Sequence, residues 1–138
     1  MNQKTILVAV TDIFFYTKVR DAMMAMGYKI ERARTQQDIA EKSSATNPAA
    51  FILDMNDDRL DAFQAVDTLK ADARLKTIPI LAFANHEEVE TFHRAKALGV
   101  TRIVSRNEFS SRLKDLIEEV ISGQHSAISS QLNPKADR

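Results

Sequence analysis

Phe51-Ile52-Leu53-Asp54-Met55-Asn56-Asp57-Asp58 is the stretch from which the rest of the chain takes its order. Three apolar residues end abruptly on a carboxylate, and a turn-prone acidic cluster follows. A short apolar run bounded by turn signals predicts a strand buried on both faces, as in a parallel sheet. Asp54 then stands at that strand's carboxyl end, where open α/β sheets form their ligand crevice. Many strand-terminal Asp residues only begin a polar loop, so the weight falls on what the other strand ends bring to the same edge.

Upstream, Thr5-Ile6-Leu7-Val8-Ala9-Val10 is apolar and β-branched, a second buried strand closed by Thr11-Asp12. Phe15, Val19, Ala22, Met23 and Met26 then recur with helical spacing, and Gly27 stands at the natural stop. Tyr28 to Ala33 alternates and predicts a strand nearer the sheet edge. Thr35 with Asp38 has the form of a helix start, and Asn47-Pro48 ends that helix.

Downstream, Phe63, Val66 and Leu69 begin a third helix that fades through Lys70-Ala71-Asp72. Ile78 to Ala84 predicts a fourth strand, with Pro79 tolerable near its start. Asn85-His86-Glu87-Glu88 offers a cap and acids for a fourth helix, faced by Val89, Phe92 and Leu98. Arg102-Ile103-Val104-Ser105 predicts a fifth strand, and Phe109, Leu113, Leu116, Ile117, Val120 and Ile121 mark the cleanest amphipathic helix. Gln124 to Arg138 is polar and aperiodic.

At 138 residues, with 44% hydrophobic and 28% charged, the chain suits one globular domain with a single core. Nineteen basic and nineteen acidic residues cancel, leaving no bulk charge to draw it onto nucleic acid or lipid. Without Cys there are neither disulfides nor thiolate zinc sites. The first apolar run is far too short to span a membrane and lacks a signal-peptide cleavage pattern, so a cytoplasmic location is the expectation.

Strand and helix alternate about five times, which predicts a doubly wound parallel sheet with helices on both faces. Asp12, Asp54, Asp57, Asp58, Ala84, Asn85 and Arg106 should therefore line one edge. The run Asp57 to Asp61 lacks the alternating ligands and central Gly of an EF-hand and reads as a solvated turn. His86, His93 and His125 share no ligand spacing, and Phe14, Tyr16 and the neighbouring Met residues read as core and rim.

Taken together, Ile6-Leu7-Val8, Gly27-Tyr28, Phe51 to Asp54, Ile78 to Leu81 and Ala95 to Val100, with their spacing, resemble the receiver domain of bacterial two-component signalling. The resemblance runs from about Lys4 to Ile121. It implies an α/β, flavodoxin-like sheet of five parallel strands, order 2-1-3-4-5, in three α/β/α layers. The receiver domain would be 1–122 and the polar tail or linker remnant 123–138. It also implies that Asp54 stands where receivers accept a phosphoryl group from a histidine kinase. Mg²⁺ would be held by Asp54, an acidic pair after the first strand and the Asn56 carbonyl.

Several positions depart from that pattern. The acidic pair falls on Val10 and Thr11, with Asp12 one residue beyond; the Ser/Thr position is Ala84; the Lys position is Arg106; and Ile103 replaces a common aromatic. Losing a carboxylate removes a ligand and a charge from a cation that demands tight oxygen coordination. The expectation is therefore a weak or absent Mg²⁺ site at Asp12, Asp54 and Asn56, and an atypical, non-enzymatic receiver acting mainly through protein–protein contact. Arg106 is expected to pair with Asp54 or Asp12 in place of the missing cation. Partners would be a histidine kinase or another signalling protein. A homodimer would use the face of the fourth helix, fifth strand and fifth helix, with Phe92, Ile103 and Arg106 on it. The alternatives are a working receiver phosphorylated on Asp54, and a flavodoxin-like ligand-binding module.

Overall fold

The computed structural model describes residues 3–123. Most of the predicted tail, with His125, lies outside the described residues. Among the described residues ten elements alternate: β1 (Thr5–Ala9), α1 (Ile13–Ala25), β2 (Lys29–Arg32), α2 (Gln36–Thr46), β3 (Ala50–Asp54), α3 (Ala62–Ala71), β4 (Ile80–Ala84), α4 (Val89–Ala97), β5 (Arg102–Ser105) and α5 (Arg106–Ile121). All strand pairings are parallel, in the order β2-β1-β3-β4-β5. This is the flavodoxin-like α/β architecture, and it puts β3 at the centre.

Strand side chains alternate between two cores because successive Cβ atoms point to opposite faces. Leu7, Phe51, Leu53, Ile80 and Ala82 pack with Ile39 of α2, Val66 and Leu69 of α3 and Ala95 of α4. Ile6, Val8, Ile52, Leu81 and Phe83 pack with Val19 and Met23 of α1 and with Phe109, Leu113, Leu116 and Ile117 of α5. Every residue of β3 and β4 is buried, as their unbroken apolar runs require. The β2 edge strand is half-buried to exposed.

Local signals fix the helix ends. Thr35 and Asp38 form a complete capping box, and backbone amides, that of Arg34 first, hold the Asp38 carboxyl below its usual range. Gly27 adopts φ +92°, letting its amide reach the Met24 carbonyl and the Tyr28 amide reach that of Met23. That double closure of a helix needs a left-handed residue, which glycine supplies without strain.

The structure departs from the sequence expectation in several places. β4 begins at Ile80, not Ile78; Pro79 contributes only its carbonyl, to the Phe51 amide, having no N–H to give the ladder. Asn85 does not cap α4: its amide donates to Asn56 Oδ1 and its carbonyl closes a turn onto Glu88, so the helix starts at Val89 without a side-chain cap. Val89 is consequently 57% exposed, outside the expected apolar face. Phe14, placed in core or rim, is 87% exposed, because α1 buries Tyr16, Val19 and Met23 instead. Ile103, expected on a contact surface, is buried in the core beneath α4.

Phe15, Phe83 and Phe109 form one aromatic cluster, with Phe83 and Phe109 centroids 4.3 Å apart. Truncating Phe109 to Ala should therefore cost about 3–5 kcal/mol, a large share of a small domain's stability. The shift of the urea midpoint measures it.

Candidate functional site

The carboxyl ends of β1, β3 and β5 open into one crevice of about 610 Å³, lined by Thr11, Asp12, Ile13, Asp54, Asn56, Asp57, Asp58, Arg59 and Arg106. A second hollow, lined by Asn85, His86, Glu87, Ser105, Arg106 and Asn107, lies on the other side of Arg106. The topology thus brings Asp12, Asp54, Asn56 and Arg106 to one edge. Ala84, the last residue of β4, is buried in register with Ser105 and has no polar atom in its side chain.

Asp54 is the last residue of β3, and its side chain is only 4% exposed. One carboxylate oxygen accepts the Asn56 amide at 2.9 Å and the other accepts Arg106 Nη2 at 3.1 Å. The guanidinium carbon sits 4.6 Å from the Phe15 ring centre and 5.1 Å from that of Phe83, a cation–π seat that holds the group over the carboxylate. Burial nevertheless dominates and raises the Asp54 carboxyl above its ordinary 3.8; the Asn56 amide and Arg106 pull it down, and Asp57 pushes it further up.

Asp57, which the sequence places on this edge but reads as part of a solvated turn, is instead engaged by protein donors. Its carboxylate accepts the Thr11 amide at 2.7 Å, the Thr11 hydroxyl at 2.9 Å, and the amides of Arg59 and Leu60 at 2.9 and 3.2 Å. The last two contacts are an Asx turn, for which Asp followed by a polar run is the available signal. The contacts to Thr11 tie the loop after β1 to the loop after β3, and nothing in local sequence announces them. Asp12 turns away to cap α1, its Oδ1 accepting the Phe14 and Phe15 amides. The Asn56 side chain braces the loop after β4 through the Asn85 amide, at 2.7 Å.

These donors test the fit of a divalent cation. Asp12 is used by a helix, Asp57 by four N–H and O–H groups, and Asp54 already has a donor on each oxygen, one of them cationic. Among the described residues no group of three or more His, Asp or Glu side chains is placed to hold a metal ion. As arranged, the site does not fit a tightly bound Mg²⁺, which wants near-octahedral oxygen ligation.

No protein-family model and no curated protein matches the chain. Solved structures do. The chemotaxis response regulator CheY4 of Vibrio cholerae aligns at 20% identity and a TM-score of 0.77, over 86% of this chain and 99% of its own. A response-regulator receiver domain from Bermanella marisrubri aligns at 20% identity and 0.77, over 87% and 99%. This chain has the receiver-domain fold. The receiver domain of a Pseudomonas aeruginosa sensor histidine kinase, with a magnesium ion coordinated in its active-site cleft, aligns at 14% identity and 0.78, over 88% and 100%. Among the described residues of this receiver fold, no helix is long and apolar enough to cross a membrane.

Because the folded state raises the Asp54 carboxyl, it binds a proton more tightly than the unfolded chain does. Stability attributable to this group therefore falls as pH rises from 3.8 through the raised value. Arg106 relieves part of that loss wherever Asp54 is ionised. Arg106→Met should thus destabilise the fold by about 1–3 kcal/mol at neutral pH, less than for a fully buried pair because the guanidinium is partly exposed. The deficit should shrink as pH approaches 3.8, which denaturant titrations at several pH values will read. Asp57→Asn should cost roughly 1–3 kcal/mol by leaving N–H groups unpaired. It should also lower the Asp54 pKa, followed by carboxyl-carbon NMR.

Proposed function

We propose that this chain is an atypical receiver-fold module of phosphorelay signalling, working mainly through contact with a signalling protein. It is not an enzyme, and Asp54 is withheld from phosphoryl acceptance. The observation that carries this reading is the 3.1 Å contact between Arg106 and the buried carboxylate of Asp54, on the group that would have to act as nucleophile. Phosphoryl transfer depends on charge neutralisation and positioning by metal ions and fixed cations. Here a resident guanidinium is the neutralising group, and Ala84 has no hydroxyl to follow a phosphoryl oxygen.

The magnesium in the cleft of the Pseudomonas aeruginosa domain bears on this chain through Asp12, Asp54 and Asn56. In our reading they make a weak site at most, because Arg106 already balances the charge that would draw the ion in. The partner is a histidine kinase or another signalling protein in the cytoplasm, met on the face of α4, β5 and α5. A homodimer would be the self-contact form of the same reading. Val89 and half-buried Phe92 supply apolar area there. The balanced charge of the chain favours neither nucleic acid nor a membrane surface.

Incubation with a small-molecule phosphodonor and Mg²⁺, followed by intact mass, tests the reading. The expected spectrum is unchanged, and millimolar Mg²⁺ should leave the melting temperature where it was. A stable one-phosphoryl adduct that disappears in Asp54→Asn would make the chain a working receiver phosphorylated on Asp54.

A further inference from the structure

α5 is two helical pieces. Arg112, at φ −125° and ψ 24°, leaves helical geometry and divides residues 106–111 from 113–121. The longer piece is anchored by Leu113, Leu116, Ile117 and Val120, all buried. Phe109 is the one buried apolar residue of the shorter piece. Six helical residues have little stability of their own, so the shorter piece stays in place through its attachments.

Those attachments lie at both ends. At the start, the Ser105 hydroxyl accepts the Glu108 amide and Arg106 reaches Asp54. At the kink, a closed ring of four alternating charges spans the two pieces. Arg112 bonds Glu108 at 2.7 Å in the shorter piece and Glu119 at 3.1 Å in the longer. Arg102 of β5 meets the same two carboxylates, at 3.7 and 2.9 Å. All four side chains are partly exposed, so salt screens the ring more than it touches the buried apolar anchors.

We propose that residues 106–111 form a hinged segment that swings about Arg112 when Arg106 leaves Asp54, with the Arg102–Glu108–Arg112–Glu119 ring as the keeper that returns it. The segment would link the state of Asp54 to the surface of α5 along a physical connection. Arg106 and Phe109 both rest on Phe83, so neither moves alone. Such coupling is reciprocal: a partner that competes for Glu108 or Arg112 would loosen the grip on Asp54. The device goes beyond the contact reading and does not depend on whether Asp54 accepts phosphate.

Hydrogen exchange followed by mass spectrometry on the full chain tests it. In Arg106→Gln, amides 108–111 should lose about tenfold more protection than 113–121, whose own loss follows only the global destabilisation. Removing a cation from a helix N-terminus by itself favours the helix, so opening in spite of that isolates the lost anchor. Raising the salt concentration on the unmutated protein, which leaves folding intact, should open 108–111 selectively through the ring. Unchanged protection of 108–111 in either measurement, or equal loss across both pieces, overturns the hinge.

Discussion

Burying a carboxylate at the end of the central strand, and keeping a guanidinium beside it, is the constraint on which the rest of the site depends. A lone charged group in that position carries a desolvation penalty no single hydrogen bond offsets. Asp54 meets it with one amide, one cation and a raised affinity for protons. Arginine suits the place better than lysine would. Its planar, weakly hydrated head lies against Phe15 and Phe83 while an N–H still points at the carboxylate. The aromatic cluster between α1, β4 and α5 thereby serves the core and the site at once.

A second tie completes the arrangement. This edge is given a positive charge and a link between loops by different residues. Arg106 brings the charge, and the Asp57–Thr11 contacts bridge the loops after β3 and β1. For an incoming cation to use Asp57 it would have to displace four donors already in good geometry. Hydrated Mg²⁺ sheds its own water reluctantly, so that exchange runs against the ion twice.

The fold was legible because its signals were redundant. The unbroken apolar runs of β1, β3 and β4, the helical period of α5, the Thr35/Asp38 box and the glycine stop at Gly27 each point to the same alternation. Errors fell where one tertiary contact outweighed a local preference. Asn85 has the chemistry of a cap, but its amide is claimed by Asn56, twenty-nine positions away. Ile103 sits on a short strand whose pattern does not say which core it faces. At the site, residue types and strand ends were enough to bring Asp54 and Arg106 to one edge. The Asp57 latch was not, since a carboxylate in a polar loop looks the same in sequence whether it meets water or Thr11.

Arg106 also breaks a local rule, which shows what its position costs. It occupies the first turn of α5, where the helix dipole presents its positive end and a cation is unfavourable. Glu108 in the same turn would be the favourable residue there, yet its carboxylate is drawn along the helix to Arg112 and Arg102. The guanidinium is therefore held against its own helix by Asp54 and the two rings alone. A cation placed in opposition to the helix it begins, on a six-residue piece already cut from the rest of α5, is anchored from outside that helix. Structural dependence on Asp54 thus runs into α5 through Arg106, and not through Ala84 or Ile103, which are buried and carry no side-chain polar atoms.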